Sequence, residues 1–257
     1  MKALITGASS GLGRDMAKYL SSLGWDLIVV ARREERLKEL QKTLKTDVKI
    51  INLDLGIEEN CYKLYEMTKN ENIDLLINNA GFGLFGLTTE TSLDRELEMI
   101  NLNVKAVHIL TKLFLQDFYQ KDKGRILNVA SSAGFLAGPR LNTYYATKNY
   151  VLKFTLAIYE ELRHQKSHVK ISCLCPGPVA TEFNKVAGGK FNIEEKKSYQ
   201  VAKYAIDKTL QNKLIIVPGL SVRLGLFFNR FLPTKLSLKI IYHIQERKVK
   251  NNNKNFK

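Results

Sequence analysis

Short apolar runs alternate with longer amphipathic stretches along the first 220 residues of the chain. The short runs are rich in β-branched residues, which favours strands. The predicted strands cover residues 3–5, 27–30, 48–53, 75–77, 125–130, 169–174 and 214–217. Because these runs are almost continuously apolar, they are typical of parallel strands that are buried on both faces.

The stretches between the predicted strands have helical periodicity. Leu12, Met16 and Leu20 recur at every fourth position, and Gly24 follows as the predicted C-cap of that helix. Strands that alternate with helices predict an α/β, Rossmann-like, doubly wound fold. We expect a mostly parallel, seven-stranded sheet with helices on both faces, in a three-layer α/β/α arrangement.

The basic residues are unevenly distributed over the 257 residues, whose formal net charge is +15. Residues 221–257 contain nine Lys and Arg and one acid, Glu246, a balance of +8, whereas residues 1–220 contain 31 basic and 24 acidic residues, a balance of +7. We therefore predict one dinucleotide-binding and catalytic domain over 1–220, a basic amphipathic extension over 221–249, and a disordered tail over 250–257.

The basic extension contains two amphipathic segments that Pro233 separates. The first is rich in Phe and Leu, and the second places Leu236, Ile240 and Ile244 on a broad apolar side. Two interpretations remain open at this point. The segments pack on the body or on another subunit with a solvated basic face, or they lie in a membrane interface.

The composition excludes several classes of protein. There is no stretch of 18 apolar residues, and Met1 leads directly into a strand and a glycine loop, so a cytoplasmic location is expected, with peripheral membrane association left open. The three cysteines and four histidines form no ligand cluster, which predicts buried thiols and no metal site. The chain has no recognition motif or basic groove interleaved with aromatic residues, so no nucleic-acid partner is predicted.

A glycine-rich loop follows the first predicted strand as Thr6-Gly7-Ala8-Ser9-Ser10-Gly11-Leu12-Gly13. Such a loop lets backbone amides approach a pyrophosphate at the start of a helix. The spacing G-x-x-x-G-x-G differs from the usual G-x-G-x-x-G, so a turn that only packs the helix on the strand is the alternative. The predicted cofactor contacts here are Gly7, Ser9, Ser10, Gly11, Leu12 and Gly13.

The end of the second predicted strand discriminates between the two nicotinamide dinucleotides. NAD sites carry an acid there that binds the ribose 2′-OH, whereas an arginine accommodates a 2′-phosphate. The strand ends in Ala31-Arg32-Arg33, so we predict NADP(H) rather than NAD(H), with Arg32 at the phosphate. In the alternative, both arginines simply begin a solvated helix over 32–44.

Tyr144 and Lys148 stand four residues apart and share one face of a predicted helix. A nearby ammonium favours the phenolate and lowers the pKa of a tyrosine from its usual value of about 10. Tyr144 is therefore expected to act as a general acid toward a carbonyl oxygen, or as a base toward an alcohol. Ser131 stands thirteen residues earlier, at the end of the fifth predicted strand, where the ligand crevice of a parallel sheet lies.

Four motifs in this order resemble the short-chain dehydrogenase/reductase family over about residues 1–220. They are Thr6 to Gly13, Asn78-Asn79-Ala80-Gly81, Tyr144 to Lys148, and Pro176-Gly177-Pro178-Val179-Ala180-Thr181. The resemblance implies that Tyr144 exchanges the proton, that Ser131 holds the substrate carbonyl, and that Lys148 lowers the pKa of the tyrosine and binds the nicotinamide ribose. Asn103 matches the asparagine that holds a relay water, with Asn101 as its rival.

The resemblance also implies further cofactor contacts. They are Asp54, Leu55, Asn79, Ala80, Gly81, Tyr144, Lys148, Pro176, Gly177, Val179 and Thr181. In the alternative interpretation, Asn78 and Asn79 brace the sheet and the loop, and Asp54 and Thr181 cap the segments that follow them.

The predicted function is NADP(H)-dependent interconversion of a carbonyl and an alcohol on a small-molecule substrate. Phe135, Leu136, Phe183 and Val186 are expected to make the substrate pocket apolar. Relatives form dimers or tetramers through two long helices, here near 92–119 and 142–165, so a homo-oligomer is expected. The alternative is a non-catalytic NADP(H) sensor or scaffold on the same fold, against which the complete set of Ser131, Tyr144 and Lys148 argues.

Overall fold

The computed structural model describes residues 1–183 and 196–253, and in the second range it describes the side chains of 197–246. A parallel seven-stranded sheet forms its centre. The strands of this sheet are β1 (Lys2–Thr6), β2 (Asp26–Ala31), β3 (Val48–Asn52), β4 (Leu75–Asn78), β5 (Arg125–Val129), β6 (Lys170–Leu174) and β9 (Ile215–Ile216). A separate two-stranded sheet pairs β7 (Val179–Ala180) with β8 (Lys196–Lys197). All seven predicted strands are therefore present.

The strand order in the large sheet is β3-β2-β1-β4-β5-β6-β9, and every pair of neighbours is parallel. The chain moves outward from β1 to β3 and then returns to β4 on the other side of β1. A ligand crevice forms at the carboxyl ends of the strands where the winding direction reverses. In this protein that point lies between β1 and β4.

Helices cover both faces of the sheet, which confirms the doubly wound α/β class and its three layers. The helical elements are α1 (Gly11–Ser22), α2 (Glu34–Gln41), α3 (Glu58–Thr68), α4 (Leu93–Ile100), a π-helical turn (Asn101–Ala106), α5 (Val107–Gln120), a 3₁₀ turn (Ser132–Phe135), α6 (Asn142–His164), α7 (Ser198–Leu210), α8 (Leu220–Asn229) and α9 (Thr234–Asn253). Helix α9 includes 250–253, the first part of the segment predicted to be a disordered tail, and 254–257 lie outside the described residues.

Alternate residues along each strand supply two separate cores. Ile5 packs in the core on the side of α1 and α7, with Met16 and Ile206. The neighbouring Leu4 packs on the opposite side, with Phe114 of α5. All of these side chains are completely shielded from water or nearly so. Because both faces are buried, the strands carry continuous apolar runs rather than alternating polar positions.

The cysteines are buried and unpaired, as predicted. The Sγ atoms of Cys173 and Cys175 lie 3.7 Å apart on one side of the end of β6. Over the part of the chain that the structure describes, no group of three or more His, Cys, Asp or Glu side chains is arranged to hold a metal ion. Within the same ranges, no helix has the length and hydropathy needed to cross a membrane.

Candidate active site

A cleft of about 410 Å³ lies at the carboxyl ends of the strands, beside the point where the winding reverses. Except for Gly13 and Ala80, every residue predicted to bind the cofactor lines it. The predicted residues in its wall are Gly7, Ser9, Ser10, Gly11, Leu12, Arg32, Asp54, Leu55, Asn79, Gly81, Tyr144, Lys148, Pro176, Gly177, Val179 and Thr181, and Ser131 lines it too. Residues scattered over more than 170 positions of sequence thus meet in one cleft.

The glycine loop joins β1 to α1 with two glycines in the left-handed region, Gly7 at φ +67° and Gly11 at φ +52°. A side chain is strained in that conformation, so these positions require glycine. Gly13 has a different role, because a Cβ atom on it would lie 2.5 Å from the carbonyl oxygen of Gly7. Gly13 therefore allows α1 to start directly against the loop, and it lies behind the cleft wall.

Asn79 and Ala80 brace the glycine loop from the end of β4. The Thr6 hydroxyl accepts hydrogen bonds from the backbone amides of Asn79 at 2.9 Å and Ala80 at 3.0 Å. The Asn79 side-chain amide donates to the carbonyl oxygen of Thr6 at 2.9 Å. Asn78 is buried and donates to Thr111 and Asn128 within the sheet layer. The bracing interpretation therefore describes Asn78, whereas Asn79 both braces the loop and lines the cleft.

Two arginines after β2 lie beside the glycine loop. Arg32 pairs with Asp54 over 3.3 Å, and its side chain is 64% exposed. Arg33 donates to Ser9 Oγ at 3.2 Å and Ser10 Oγ at 2.9 Å. Arg33 is the N-cap residue of α2, so the two arginines do lead into that helix, while their side chains are directed to Asp54 and to the serines of the loop. The sequence identified Arg32 and missed Arg33, because neither spacing nor residue type shows which arginine turns toward the loop.

The carboxylate of Glu182 lies on the outer side of the arginines that follow β2. It accepts from Arg33 at 3.0 Å and from Arg36 at 2.7 Å. These two ion pairs hold the pKa of the Glu182 carboxyl below its usual value. Glu182 follows Thr181, whose hydroxyl accepts from the Phe183 amide at 3.2 Å and whose side chain packs on Gly11. The ion pairs of Glu182 therefore hold the start of the segment after β7 beside the glycine loop.

Ser131, Tyr144 and Lys148 meet at the other end of the cleft. Ser131 follows β5 and lies next to the Tyr144 phenol of α6; its hydroxyl donates to the carbonyl oxygen of Pro176 at 3.4 Å and accepts from the Ala133 amide at 3.1 Å. Lys148 lies one turn further along α6 and donates from Nζ to the carbonyl oxygen of Val129 at 2.9 Å. Its Nζ is 5.9 Å from the centre of the Tyr144 ring. The thirteen-residue and four-residue spacings therefore bring a hydroxyl, a phenol and an ammonium together.

Burial is the main influence on the pKa values of Tyr144 and Lys148. It raises the pKa of the Tyr144 phenol, and the nearby Ser131 hydroxyl opposes that shift. It also lowers the pKa of Lys148 to about 8, because charged forms are disfavoured away from water. The sequence predicted a lowered pKa for Tyr144 beside the lysine. In the structure the effect of burial on the tyrosine is larger and of opposite sign, and the ammonium of Lys148 donates to a backbone carbonyl rather than to the phenol.

Asn103 is held in the π-helical turn between α4 and α5, completely buried. Its side chain accepts from the Phe82 amide at 3.1 Å and donates to the Phe82 carbonyl at 2.9 Å and to Thr147 at 3.1 Å. A Cβ on Gly81 would lie 2.8 Å from Asn103 Oδ1 and 3.5 Å from Lys148 Nζ. Asn103 therefore stands directly behind the cleft wall, next to the lysine, in a type of turn that is frequent at functional sites.

Apolar side chains line the cleft beyond Tyr144. They are Phe82, Leu102, Leu141, Tyr145 and Phe183, and the Phe183 ring centre is 5.2 Å from that of Tyr144. Of the residues predicted to line the pocket, Phe183 does so, whereas Phe135 and Leu136 do not, because the 3₁₀ turn directs them elsewhere. Val186 lies outside the described residues. The sequence missed the other four because no motif marks them.

Tyr145 is fixed by a residue from the far end of the chain. Gln245 of α9 is buried and donates to Tyr145 Oη at 2.8 Å. The neighbouring Glu246 accepts from Arg140 and from Tyr242. Helix α9 thereby contributes support to the apolar end of the cleft, which sequence patterns did not indicate.

Comparison with known proteins agrees with this geometry. The pattern that defines the short chain dehydrogenase family matches residues 1–190. An uncharacterized oxidoreductase of Staphylococcus epidermidis is 31% identical over 181 residues, which cover 70% of this chain and 78% of that protein. Dehydrogenase/reductase SDR family member 11 of Bos taurus is 31% identical over 192 residues, covering 70% and 75%.

A solved structure has the same architecture. The short-chain dehydrogenase from Sphingobium yanoikuyae in complex with NADPH superposes with a TM-score of 0.81 at 26% identity, covering 89% of this chain and 92% of that one. The matched family pattern spans the glycine loop and the cluster of Ser131, Tyr144 and Lys148. This chain therefore belongs to the short-chain dehydrogenase family.

Proposed function

We propose that this chain is an NADP(H)-dependent oxidoreductase that interconverts a carbonyl and an alcohol on an apolar substrate. One observation carries the proposal. A single cleft has a glycine loop with two arginines at one end and Ser131, Tyr144 and Lys148 at the other. The chemistry belongs to residues 1–220, and 221–249 form an extension that packs on this domain.

The cleft has the features that a dinucleotide requires. Gly7 and Gly11 keep the loop free of side chains next to the first turn of α1, where backbone amides favour an anion. The cleft then continues along the ends of β4, β5 and β6 toward Tyr144. When bound, the nicotinamide dinucleotide supplies or accepts the hydride.

The side chains at the apolar end supply the proton and the orientation. Ser131 donates a hydrogen bond to the carbonyl oxygen of the substrate, and Tyr144 passes its phenolic proton to the same oxygen during reduction. Lys148 holds its ammonium next to the tyrosine and binds the ribose of the cofactor. Asn103 bridges Phe82 and Thr147, and the family resemblance assigns to it the relay water of the proton transfer.

Preference for the 2′-phosphate follows from the residues after β2. The acid that NAD-binding proteins of this fold carry after the second strand is absent here, and Arg32 stands at the end of the strand instead. Arg32 and Arg33 place two guanidinium groups beside the loop, and guanidinium groups bind phosphate through paired donors. The proposed cofactor is therefore NADP(H) rather than NAD(H).

The substrate class follows from the other end of the cleft. Phe82, Leu141, Tyr145 and Phe183 surround the space next to Tyr144, and among the described residues no charged side chain other than Lys148 lines that end. A substrate that buries apolar surface against these rings gains the hydrophobic free energy of transfer. An apolar aldehyde or ketone, or the matching alcohol, fits this surface.

A Tyr144→Phe variant tests the proposal. Loss of the proton donor should lower the turnover number for reduction of aldehydes and ketones with NADPH by about 10²–10⁴-fold. Binding of NADPH, followed by fluorescence, should be nearly unchanged. Tyr150→Phe, the same change six positions further along α6, should retain activity. A wild-type protein that binds NADPH yet turns over none of a broad panel of carbonyl compounds would instead support the non-catalytic sensor.

A further inference from the structure

The outer side of α8 is an exposed apolar face. Leu220, Leu224, Phe227, Phe228 and Phe231 are between 47% and 72% exposed. The inner side of the helix is anchored, because Val222 and Leu226 pack against the cluster that contains Cys173, Cys175 and Val217. The apolar face is thus held outward by a helix that is fixed to the body. We refer to these five exposed residues as the α8 face.

Helix α9 repeats this arrangement. Leu236, Ile240 and Ile244 recur every four residues and are exposed. Lys235 and Lys239 form an exposed basic row one position away from this apolar row. The side that carries Ile241 and Gln245 is buried. Each C-terminal helix therefore has one side on the body and one apolar side in water.

The charge around these two helices is strongly positive. Residues 221–257 contain nine Lys and Arg and a single acid, Glu246. That acid is directed to the body, where it accepts from Arg140 at 3.4 Å and from Tyr242 at 3.1 Å. Of these nine, Arg223, Arg230, Lys235 and Lys239 have described side chains, all exposed, on the segment that carries the exposed apolar residues, and no other acid of 221–246 offsets their charge.

Exposed apolar side chains together with exposed basic ones indicate which kind of partner this surface binds. A second copy of the chain in a two-fold contact would place the same basic residues against each other, which is unfavourable. Phosphate headgroups of anionic lipids neutralise lysines and arginines, while Phe and Leu enter the boundary between headgroups and acyl chains. We propose that α8 and α9 dock this protein on the surface of a membrane that contains anionic lipids, with the α8 face inserted.

The docking surface is connected to the apolar end of the cleft. A Cβ on Gly177, in the cleft wall, would lie 2.8 Å from a methyl group of Val222 on the inner side of α8. Gln245 of α9 donates to Tyr145, which also lines the cleft. Docking through α8 and α9 thus brings the substrate end of the cleft close to the lipid.

Vesicle flotation with the full-length protein tests the proposal without any dependence on turnover. The vesicles contain phosphatidylcholine alone, or phosphatidylcholine with phosphatidylserine. The wild type should float with the mixed vesicles, remain in solution with phosphatidylcholine alone, and be released by high salt. Because each lysine near an anionic surface adds to binding, Lys235→Glu/Lys239→Glu should weaken the partition coefficient by about tenfold or more. Phe227→Ser/Phe228→Ser should also abolish flotation.

Matched controls separate docking from general effects. Lys42→Glu/Lys63→Glu changes the net charge by the same amount as Lys235→Glu/Lys239→Glu, but at exposed positions outside α8 and α9. Tyr62→Ser/Met67→Ser removes exposed apolar side chains from α3 instead of from α8. Both should float like the wild type. Equal flotation with and without phosphatidylserine would overturn the proposal, as would a stable dimer that Phe227→Ser/Phe228→Ser dissociates in analytical ultracentrifugation. Either failure leaves the NADPH-dependent activity of the proposed function untouched.

Discussion

Arg33 reaches back across the glycine loop and donates to Ser10 Oγ over 2.9 Å. This contact holds a second guanidinium beside Arg32, in the part of the cleft that the proposed function assigns to the 2′-phosphate of NADP(H). Arg33→Ala should therefore weaken NADPH binding by about 10–100-fold, the effect of one charge-assisted hydrogen bond, and change NADH binding little. Fluorescence titration with both dinucleotides measures this. Lys38→Ala, on the exposed side of α2, serves as control, and equal losses for NADPH and NADH would contradict the assignment.

Glu182 places a carboxylate against Arg33 and Arg36 on the outer side of the same cluster. A bound 2′-phosphate and this carboxylate attract the same guanidinium and repel each other. Glu182→Gln should therefore tighten NADPH binding by a few-fold, since a partly exposed ion pair contributes up to about 1 kcal/mol. NADH binding should not change. Weaker NADPH binding in Glu182→Gln would show instead that the ion pairs hold the cofactor site together.

Asn103 satisfies both backbone groups of Phe82 from inside the π-helical turn. Asn103→Ala leaves those buried groups unpaired, so the free energy of unfolding should fall by about 2–3 kcal/mol, and turnover should fall with it. Asn101→Ala, two positions away in the same turn, should change stability by less than about 0.5 kcal/mol. Urea unfolding compares the two variants. Turnover is measured on the same variants, and a larger loss of turnover for Asn101→Ala than for Asn103→Ala would make Asn101 the functional asparagine.

Lys148 gives stability a specific dependence on pH. Its folded pKa of about 8 is below the ordinary value of 10.5, so between these values the unfolded chain binds more protons than the folded one. Below pH 8 the folded protein carries the full free-energy cost of burying the Lys148 ammonium. That cost falls as the pH rises, because the buried lysine then loses its proton. From pH 7 to 10 the free energy of unfolding of the wild type should rise by roughly 2–3 kcal/mol relative to Lys148→Met. A parallel pH profile for the two proteins would refute this.

Helix α4 carries an exposed row of Leu93, Leu97 and Ile100. This row lies in the region 92–119, one of the two expected to join subunits. We propose that it is covered in a homo-oligomer, and Leu93→Glu/Leu97→Glu should then produce monomers. Sedimentation velocity distinguishes the species, with Tyr62→Ser/Met67→Ser as an exposed-residue control on α3. A monomeric wild type would exclude the oligomer.

The sequence predicted the fold well because its signals are local. Every strand of the seven-stranded sheet was marked by an apolar run, and Gly24 follows the C-cap of α1 with φ +80°, the left-handed conformation typical of a glycine at a helix end. The Ser131, Tyr144 and Lys148 set was also visible, since strand ends and helical spacing determine where such side chains lie.

The remaining features depend on side-chain directions that spacing does not define. Arg32 and Arg33 are equivalent in sequence, yet only Arg33 turns onto the serines. Leu136 was predicted to line the pocket, but the turn after β5 directs it away, and Leu141 takes a place there. The bond between Gln245 and Tyr145 joins residues a hundred positions apart. Contacts of this kind require the tertiary structure.

The π-helical turn at Asn101–Ala106 also constrains how the gene encoding this chain can change. A π-helical turn takes up one more residue than an α-helical turn. Removing one residue there would therefore restore α-helical geometry and keep the direction of the side chains that follow, so that Phe114 would stay in the core. What would be lost is the local bulge that holds Asn103 against Phe82. A one-residue deletion in this turn is therefore expected to disturb the wall of the cleft more than the fold.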